Sequence, residues 1–490
     1  MPDFTAPTPE MIVVLPELLL VAAVFLILLV DPFTGRDRTA VVAIALSGLL
    51  ASGVAAVALS GQEIVSFGGM VALDGYAVFF KVLFAAAGVL TVLMSPKYLE
   101  AHGRHIGEYY ALLVLAIVGM DLMAAARDLI AFYVALELMA ISSYLLAGFF
   151  RNHVRSSEAA LKYFITGALA SALTLYGISL VYGMTGATNY YQVGQGLLGD
   201  PSSVVLALAT ALIVIGMGFK VSVAPFHMWT PDVYQGAPTP IAGFFSVGPK
   251  AAGFSAIVMV LMTVLEASQE TWSVLLIFLS LLTMATGTLM ALVQKNVKRM
   301  LAYSSIAHVG YLLAGLAAMG RAGDSEAGQS VLLYLAAYTF MNLGAFGILA
   351  YLKSCNAADF DYSLESMAGL GRRSAPAAIL MTLFMFSLTG MPGTAGFIGK
   401  FYLFTAVVRA DLTWLAVIAV LFSAVSAYYY LRIIVYMFFR ETDRELSAEG
   451  TPVGAMAAAL WASAVCVVLI GLFPSAIWDA AVHALTGFAL

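Results

Sequence analysis

The chain has 490 residues, 62% of them hydrophobic and only 10% charged, and its mean hydropathy is +0.95. A water-soluble protein of this length exposes far more charge, so composition places nearly all of it in lipid. The net charge of −5 is spread thinly, with no basic stripe of the kind a nucleic-acid partner requires.

A span needs about twenty apolar residues. The first such stretch, Met11 to Val30, follows Asp3 and Glu10 with no Lys or Arg before it, which is unlike a secretory signal, and it reads as the first spanning helix. Further spans are expected at 39–60, 74–94, 109–126, 128–150, 157–183, 203–226 and 239–264. The series continues at 273–293, 297–319, 328–352, 375–408, 411–439 and 453–473, about fourteen in all. The stretch 375–408 is too long for one simple span and contains its own breaks.

Basic residues test this map. Fourteen of the 23 Lys and Arg fall in alternate loops, from Arg36 and Arg38 to Arg440 and Arg444, while the opposite loops hold only Arg127, Arg321 and Arg409. That asymmetry marks one cytoplasmic face and puts both termini on the outer, periplasmic side. Six basic residues remain inside spans: Lys81, Lys162, Lys220, Lys250, Lys400 and Arg432. Glu137 reads as the one deep carboxylate. The cysteines, Cys355 and Cys466, are too few and too far apart for an iron–sulfur or zinc site or a disulfide. Only His102 and His105 lie close together, in a charged loop that is a poor metal site. The chain carries no visible redox centre.

A lysine at the bilayer centre costs about 2.5–3.5 kcal/mol on insertion scales, so several such residues need water, partners or a task. Lys220 lies in Gly216-Met-Gly-Phe-Lys220 with Pro225 five residues on, and Lys400 follows Gly390-Met-Pro392-Gly393-Thr-Ala-Gly396-Phe-Ile-Gly399. Proline and glycine break helices, and broken backbone at membrane depth belongs beside a cavity. Two breaks in matching positions predict two inverted five-helix repeats, each with one broken helix. The expected divisions are three N-terminal helices (1–108), a first repeat (109–266), a second repeat (267–440), and a last helix with tail (441–490).

Lys250, in Gly248-Pro249-Lys250, sits at the seam between the repeats and could pass a proton from one to the other. Glu137 is the expected partner of Lys220. Burial weakens a lysine's hold on its proton and a nearby carboxylate strengthens it, so their separation would act as a switch. Arginine, which keeps its proton, could not serve. Plainer roles compete at other positions. Lys81 and Arg432 are expected to reach an interface or a single partner. Lys162, one turn after Glu158, fits an ordinary ion pair or a relay. His308 fits a relay or a hydrogen-bonded core histidine. His227, ending the seventh helix beside Trp229 and Asp232, is a candidate for a cytoplasmic water entrance.

The stretches Asp128-Leu-Ile-Ala-Phe-Tyr-Val-Ala-Leu-Glu137-Leu, Lys220-Val-Ser-Val-Ala-Pro-Phe-His-Met-Trp-Thr-Pro-Asp232, the run on to Pro240, and Gly396-Phe-Ile-Gly-Lys400-Phe carry a resemblance. They resemble the antiporter-like membrane subunits of respiratory complex I and related cation/proton antiporters, over roughly 109–440. Within that family the chain is most similar to the N-type subunits of bacterial NADH:quinone oxidoreductase. M-type subunits typically have glutamate where Lys400 stands, and L-type subunits extend into a lateral helix after the last span.

The resemblance implies proton transfer by Glu137, Lys220, Lys250 and Lys400, with Lys162 and His308 in the same buried polar axis. It implies an enzyme complex whose flavin, iron–sulfur clusters and quinone lie in other subunits, with no cofactor in this chain. The implied partners are other membrane subunits of the complex, the bilayer and protons, in a bacterial inner membrane. A subunit of a multi-subunit sodium/proton antiporter without redox input is the alternative, and a scaffold without transport is a third reading that the intact lysines oppose.

Overall fold

In lipid every backbone polar group must be satisfied within the protein, and an apolar chain does this most simply as helices. The computed structural model describes residues 9–35, 37–104, 106–199, 201–322, 325–356, 360–441 and 451–486. His105, Arg36 and Arg444, which figure in the sequence reading, lie outside them.

The described helices are, in order, α1 (Leu15–Val30), α2 (Thr39–Ala58), α3 (Gly75–Ala101), α4 (Gly107–Ala125), α5 (Leu129–Ala147), α6 (Val154–Thr185), α7 (Tyr190–Leu197), α8 (Val204–Val221), α9 (Trp229–Gly236) and α10 (Thr239–Met259). They continue as α11 (Gln269–Leu292), α12 (Val297–Ala322), α13 (Ser325–Cys355), α14 (Leu364–Met367), α15 (Leu370–Arg373), α16 (Ala375–Thr389), α17 (Ala395–Arg409), α18 (Thr413–Phe439), α19 (Gly454–Leu472) and α20 (Ser475–Thr486). A two-stranded antiparallel hairpin, Ile64–Ser66 with Val71–Leu73, lies between α2 and α3.

Thirteen described helices are long and apolar enough to cross a membrane. The expected span at 375–408 is instead the pair α16 and α17, of 15 residues each. At 1.5 Å per residue each is about 22 Å long, short of a bilayer's hydrocarbon core of about 30 Å. The expected helix at 203–226 is corrected: α8 stops at Val221 because Ser222 turns into the left-handed region at φ 70°, and the chain becomes helical again only at Trp229. The short helices α7 and α20 were not anticipated, being too short to read as spans.

Caps set several helix starts. Asp74 accepts from Ala77 N at 2.9 Å to begin α3, and Asp128 accepts from Ile130 N at 2.8 Å to begin α5. At the same end Arg127 pairs with Asp74. Helices α12 and α13 are buried on nearly every side, and α13 touches α3, α10, α16, α17, α19 and α20. By contrast α1, α2, α18 and α19 present wide apolar faces outward.

The most extensive helix contacts include α11 with α12 and α4 with α5. Small residues permit both crossings. A Cβ on Gly119 would stand 2.5 Å from Met139 N, and one on Gly287 would stand 2.3 Å from Ala307 N.

Candidate functional site

Each helix break has a buried lysine beside it, but only the second brings its lysine onto freed backbone carbonyls. At the first break, Lys220 belongs to the last turn of α8 and is 2% exposed. Two carbonyls of that turn are already occupied: Val223 N donates to Gly218 O at 2.8 Å and Trp229 Nε1 to Phe219 O at 3.1 Å. Ala224 N donates to Thr283 Oγ1 at 3.0 Å, tying the break to α11. Lys220 is left to donate to the Tyr144 hydroxyl of α5 at 3.1 Å, with its Nζ 5.4 Å from that ring's centre.

The expected contact between Glu137 and Lys220 is therefore not direct. Glu137 lies within Coulombic reach of Lys220, Tyr133 and Tyr144, and its Oε1 is buried without a hydrogen-bond partner. Tyr144, two helical turns after Glu137 on the same face of α5, meets the lysine instead. The space for its hydroxyl comes from Gly167 of α6, where a Cβ would stand 2.0 Å from it.

At the second break α16 ends at Gly390, φ 93°. Lys400 lies on the far half-helix, α17, and reaches back. It donates to Leu388 O at 3.0 Å, Thr389 O at 2.9 Å and Ser423 Oγ at 2.8 Å. It thus occupies the negative end of the α16 dipole. An apolar groove of about 710 Å³ between α17 and α18 opens onto it.

Between the breaks Lys250 of α10 donates to Ser305 Oγ of α12 at 2.5 Å, crossing from one set of helices to the other. One residue earlier on α12, Ser304 is bonded to the Tyr430 hydroxyl, and Tyr430 stands 3.0 Å from His308 Nε2. The other ring nitrogen, Nδ1, is 2.5 Å from the Tyr334 hydroxyl. Lys250 and Lys400 both lie within Coulombic reach of this imidazole. A hydroxyl can donate or accept, so His308 is satisfied in either tautomer and the chain can reverse its direction. His308 is thus brought into the row of lysines.

Among the described residues no hydrogen-bonded link joins Lys220 to Lys250. His227, expected at the end of the seventh helix, lies inside the break between α8 and α9, with Nδ1 buried and unpartnered and with Lys250 in Coulombic reach. The Tyr234 hydroxyl beside Lys250 is likewise unpartnered. Buried polar atoms without partners are where internal water resides.

Lys162 stands apart from the deep row. It is half-exposed and holds both Glu158 at 2.6 Å and Asp232 at 2.7 Å, and Asp232 also takes Arg299 at 2.6 Å. Arg432 donates to Leu292 O at 3.0 Å and Gln294 O at 2.5 Å, at and just past the end of α11. Lys81 meets Glu17 at 2.8 Å. His102 is stacked on Phe150, with Nδ1 2.7 Å from Tyr98 O, and burial pushes its pKa down. Among the described residues no three His, Cys, Asp or Glu side chains gather in a metal-binding group.

Sequence reading missed Tyr144, Ser305, Tyr334, Tyr430 and Ser423, hydroxyls with no signal of their own in apolar helices. It also counted Glu137 alone among the acids inside spans, whereas Glu17 and Asp121, nearer the ends of their helices, are buried too, at 3% and 1% exposed. Counting acids inside spans as the basic residues were counted would have found both.

Residues 126–426 match the family described as NADH:quinone oxidoreductase/Mrp antiporter, TM. NADH-quinone oxidoreductase subunit N of Trichlorobacter lovleyi is 44% identical over 471 residues, covering 95% of each chain. A chain of respiratory complex I from Thermus thermophilus superposes with TM-score 0.80 at 34% identity, covering 95% of this chain and 99% of that one. A chain of the Mrp complex from Dietzia sp. DQ12-45-1b superposes at 0.84 over 97% of both chains, but at 20% identity it shares the fold alone. With the lysine row set in this fold and kinship of that extent, the chain belongs to the NADH:quinone oxidoreductase/Mrp antiporter family, on its subunit N branch.

Proposed function

We propose that the chain is a proton-translocating membrane subunit of NADH:quinone oxidoreductase, coupled to quinone reduction elsewhere in the complex. The observation that carries this is the buried polar row between Lys250 and Lys400: Lys250 is bonded to Ser305, Ser304 beside it is bonded to Tyr430 and Tyr430 to His308, and both lysines lie within Coulombic reach of that imidazole. Lysine can release a proton when desolvated, so a buried row of lysines joined by hydroxyls and imidazole suits proton transfer and little else.

In this reading Glu137, Lys220, Lys250 and Lys400 carry protons, and Lys162, His227 and His308 are secondary relays. Residues 109–266 and 267–440 act as two inverted repeats, each with a closely packed leading helix pair and a broken helix, flanked by 1–108 and 441–490. Flavin, iron–sulfur clusters and quinone belong to partner subunits. The chain spans a bacterial inner membrane many times with both termini periplasmic, as the basic loops indicate.

Purification of the complex through a tag on this chain, assayed for NADH:quinone reductase activity and proton uptake in vesicles, tests the reading. Co-purifying redox activity with proton movement is the expected result. A complex without redox activity that exchanges Na⁺ for H⁺ would establish the antiporter alternative instead.

A further inference from the structure

Away from the lysine row, three ionisable side chains meet among the N-terminal helices. Glu17 of α1, Lys81 of α3 and Asp121 of α4 are each almost wholly buried. Lys81 Nζ stands 2.8 Å from Glu17 Oε1, yet off the line of a hydrogen bond. Both Glu17 oxygens, Lys81 Nζ and both Asp121 oxygens therefore lack a hydrogen-bond partner among the described residues.

The charges do not balance. Two carboxylates face one ammonium. Helix α1 contributes Glu17 and α3 contributes Lys81, whereas α2 and the strand Val71–Leu73, which also pack on α4, carry no charged side chain. On α5, Glu137 lies toward Lys220 and Tyr144, and on α10, Lys250 is bonded to Ser305. Glu17 and Lys81 are the charges within reach of Asp121. An unpaired carboxylate in so apolar a place neutralises by taking a proton.

We infer that Glu17, Lys81 and Asp121 form a proton-binding site separate from the lysine row, with an exchangeable proton on Asp121 while Lys81 stays with Glu17. The site lies near one end of its helices. Asp121 is four residues from the end of α4 and Lys81 six from the start of α3, about 6 Å and about 9 Å along their axes. That is the end closed by Arg127 and Asp74. A proton there exchanges through water at that face: a hydronium O–H bond breaks as the carboxylic O–H bond forms, and a water molecule is left. Whether the lysine row transports protons does not enter this inference, because occupancy of the site is read directly.

Infrared spectra of the assembled complex, recorded at neutral pH in H₂O and D₂O with and without carbon-13 aspartate, test it. A deuterium-sensitive carboxylic-acid band that moves with the aspartate label is expected, lost in Asp121→Asn and kept in Glu137→Gln. Glu17→Gln removes the competing carboxylate and hands Lys81 to Asp121. In that variant the band should be lost although Asp121 is still present, so the test stands even if Asp121→Asn fails to assemble. Absence of the band from the unsubstituted complex, or its persistence in Glu17→Gln, overturns the inference. Loss of the band on adding Na⁺ would overturn it in favour of a metal-cation site.

Discussion

The two broken helices use the same device and hold their lysines differently. Around Lys220 two carbonyls of the last turn are occupied by the backbone and by Trp229, and the lysine has one neutral hydroxyl and two aromatic rings. Around Lys400 the lysine itself takes the freed carbonyls and adds Ser423. A cation set on the end of a half-helix is held by fixed dipoles. A cation facing one phenol depends on whatever charge comes near, and here that charge is Glu137. The first site is built to respond and the second to hold.

The sharpest way to break this comparison is to keep the charge of Lys400 while removing its ability to release a proton. Lys400→Arg retains a cation for the α16 carbonyls, but arginine does not deprotonate. Proton uptake by vesicles holding the assembled complex should fall about a hundredfold, the low end of what a positioned proton carrier supplies. Wild-type uptake would reduce Lys400 to a helix cap.

Stability separates the sites next. Lys400→Met strands two backbone carbonyls and a hydroxyl in an apolar setting and should cost about 1–3 kcal/mol in thermal unfolding of the complex. Lys220→Met strands only the Tyr144 hydroxyl while relieving a buried charge, so its cost should lie below about 1 kcal/mol. Equal losses would mean the two lysines are held alike.

Much of this was legible in the sequence. The spans follow from apolar length, and a charged residue inside one declares itself because the bilayer gives it no neutral reason to be there. The breaks at Pro225 and around Pro392 follow from backbone chemistry. What was not legible follows from side-chain packing. Glu137 and Tyr144 share one face of α5, and nothing in their spacing says which of them meets Lys220. Gly167 decides it, by leaving room for the phenol. Ser222, not Pro225, ends α8, because the turn to a left-handed residue comes three positions before the proline. Glu17 and Asp121 do not declare themselves in the sequence, because each lies near the end of its helix, where a charged residue usually reaches water.

The phenol itself gives the third test. Tyr144→Phe removes the one hydrogen bond made by Lys220. A bond worth about 1 kcal/mol should lower proton uptake about fivefold. Gly167→Ala should do the same without touching the hydroxyl, because the added methyl occupies its place. If Gly167→Ala pumps normally while Tyr144→Phe does not, the hydroxyl acts from another position than the one it occupies here.

The smallest effect is expected where the first site reaches its exposed edge. Asp232 of α9 holds Lys162 and Arg299 together, and all three side chains are between 26% and 43% exposed. Half-exposed ion pairs contribute about 0–1 kcal/mol. Asp232→Asn should therefore shift unfolding by no more than that, and proton uptake should stay within about twofold of the unsubstituted complex. Lys162→Met, which also removes the bond to Glu158, should cost somewhat more. A loss in Asp232→Asn as deep as that in Lys220→Met would give the short helix α9 a different standing. The ion pairs would then fix where the break lies, and the responsive site would extend from Glu137 through Lys220 to Asp232.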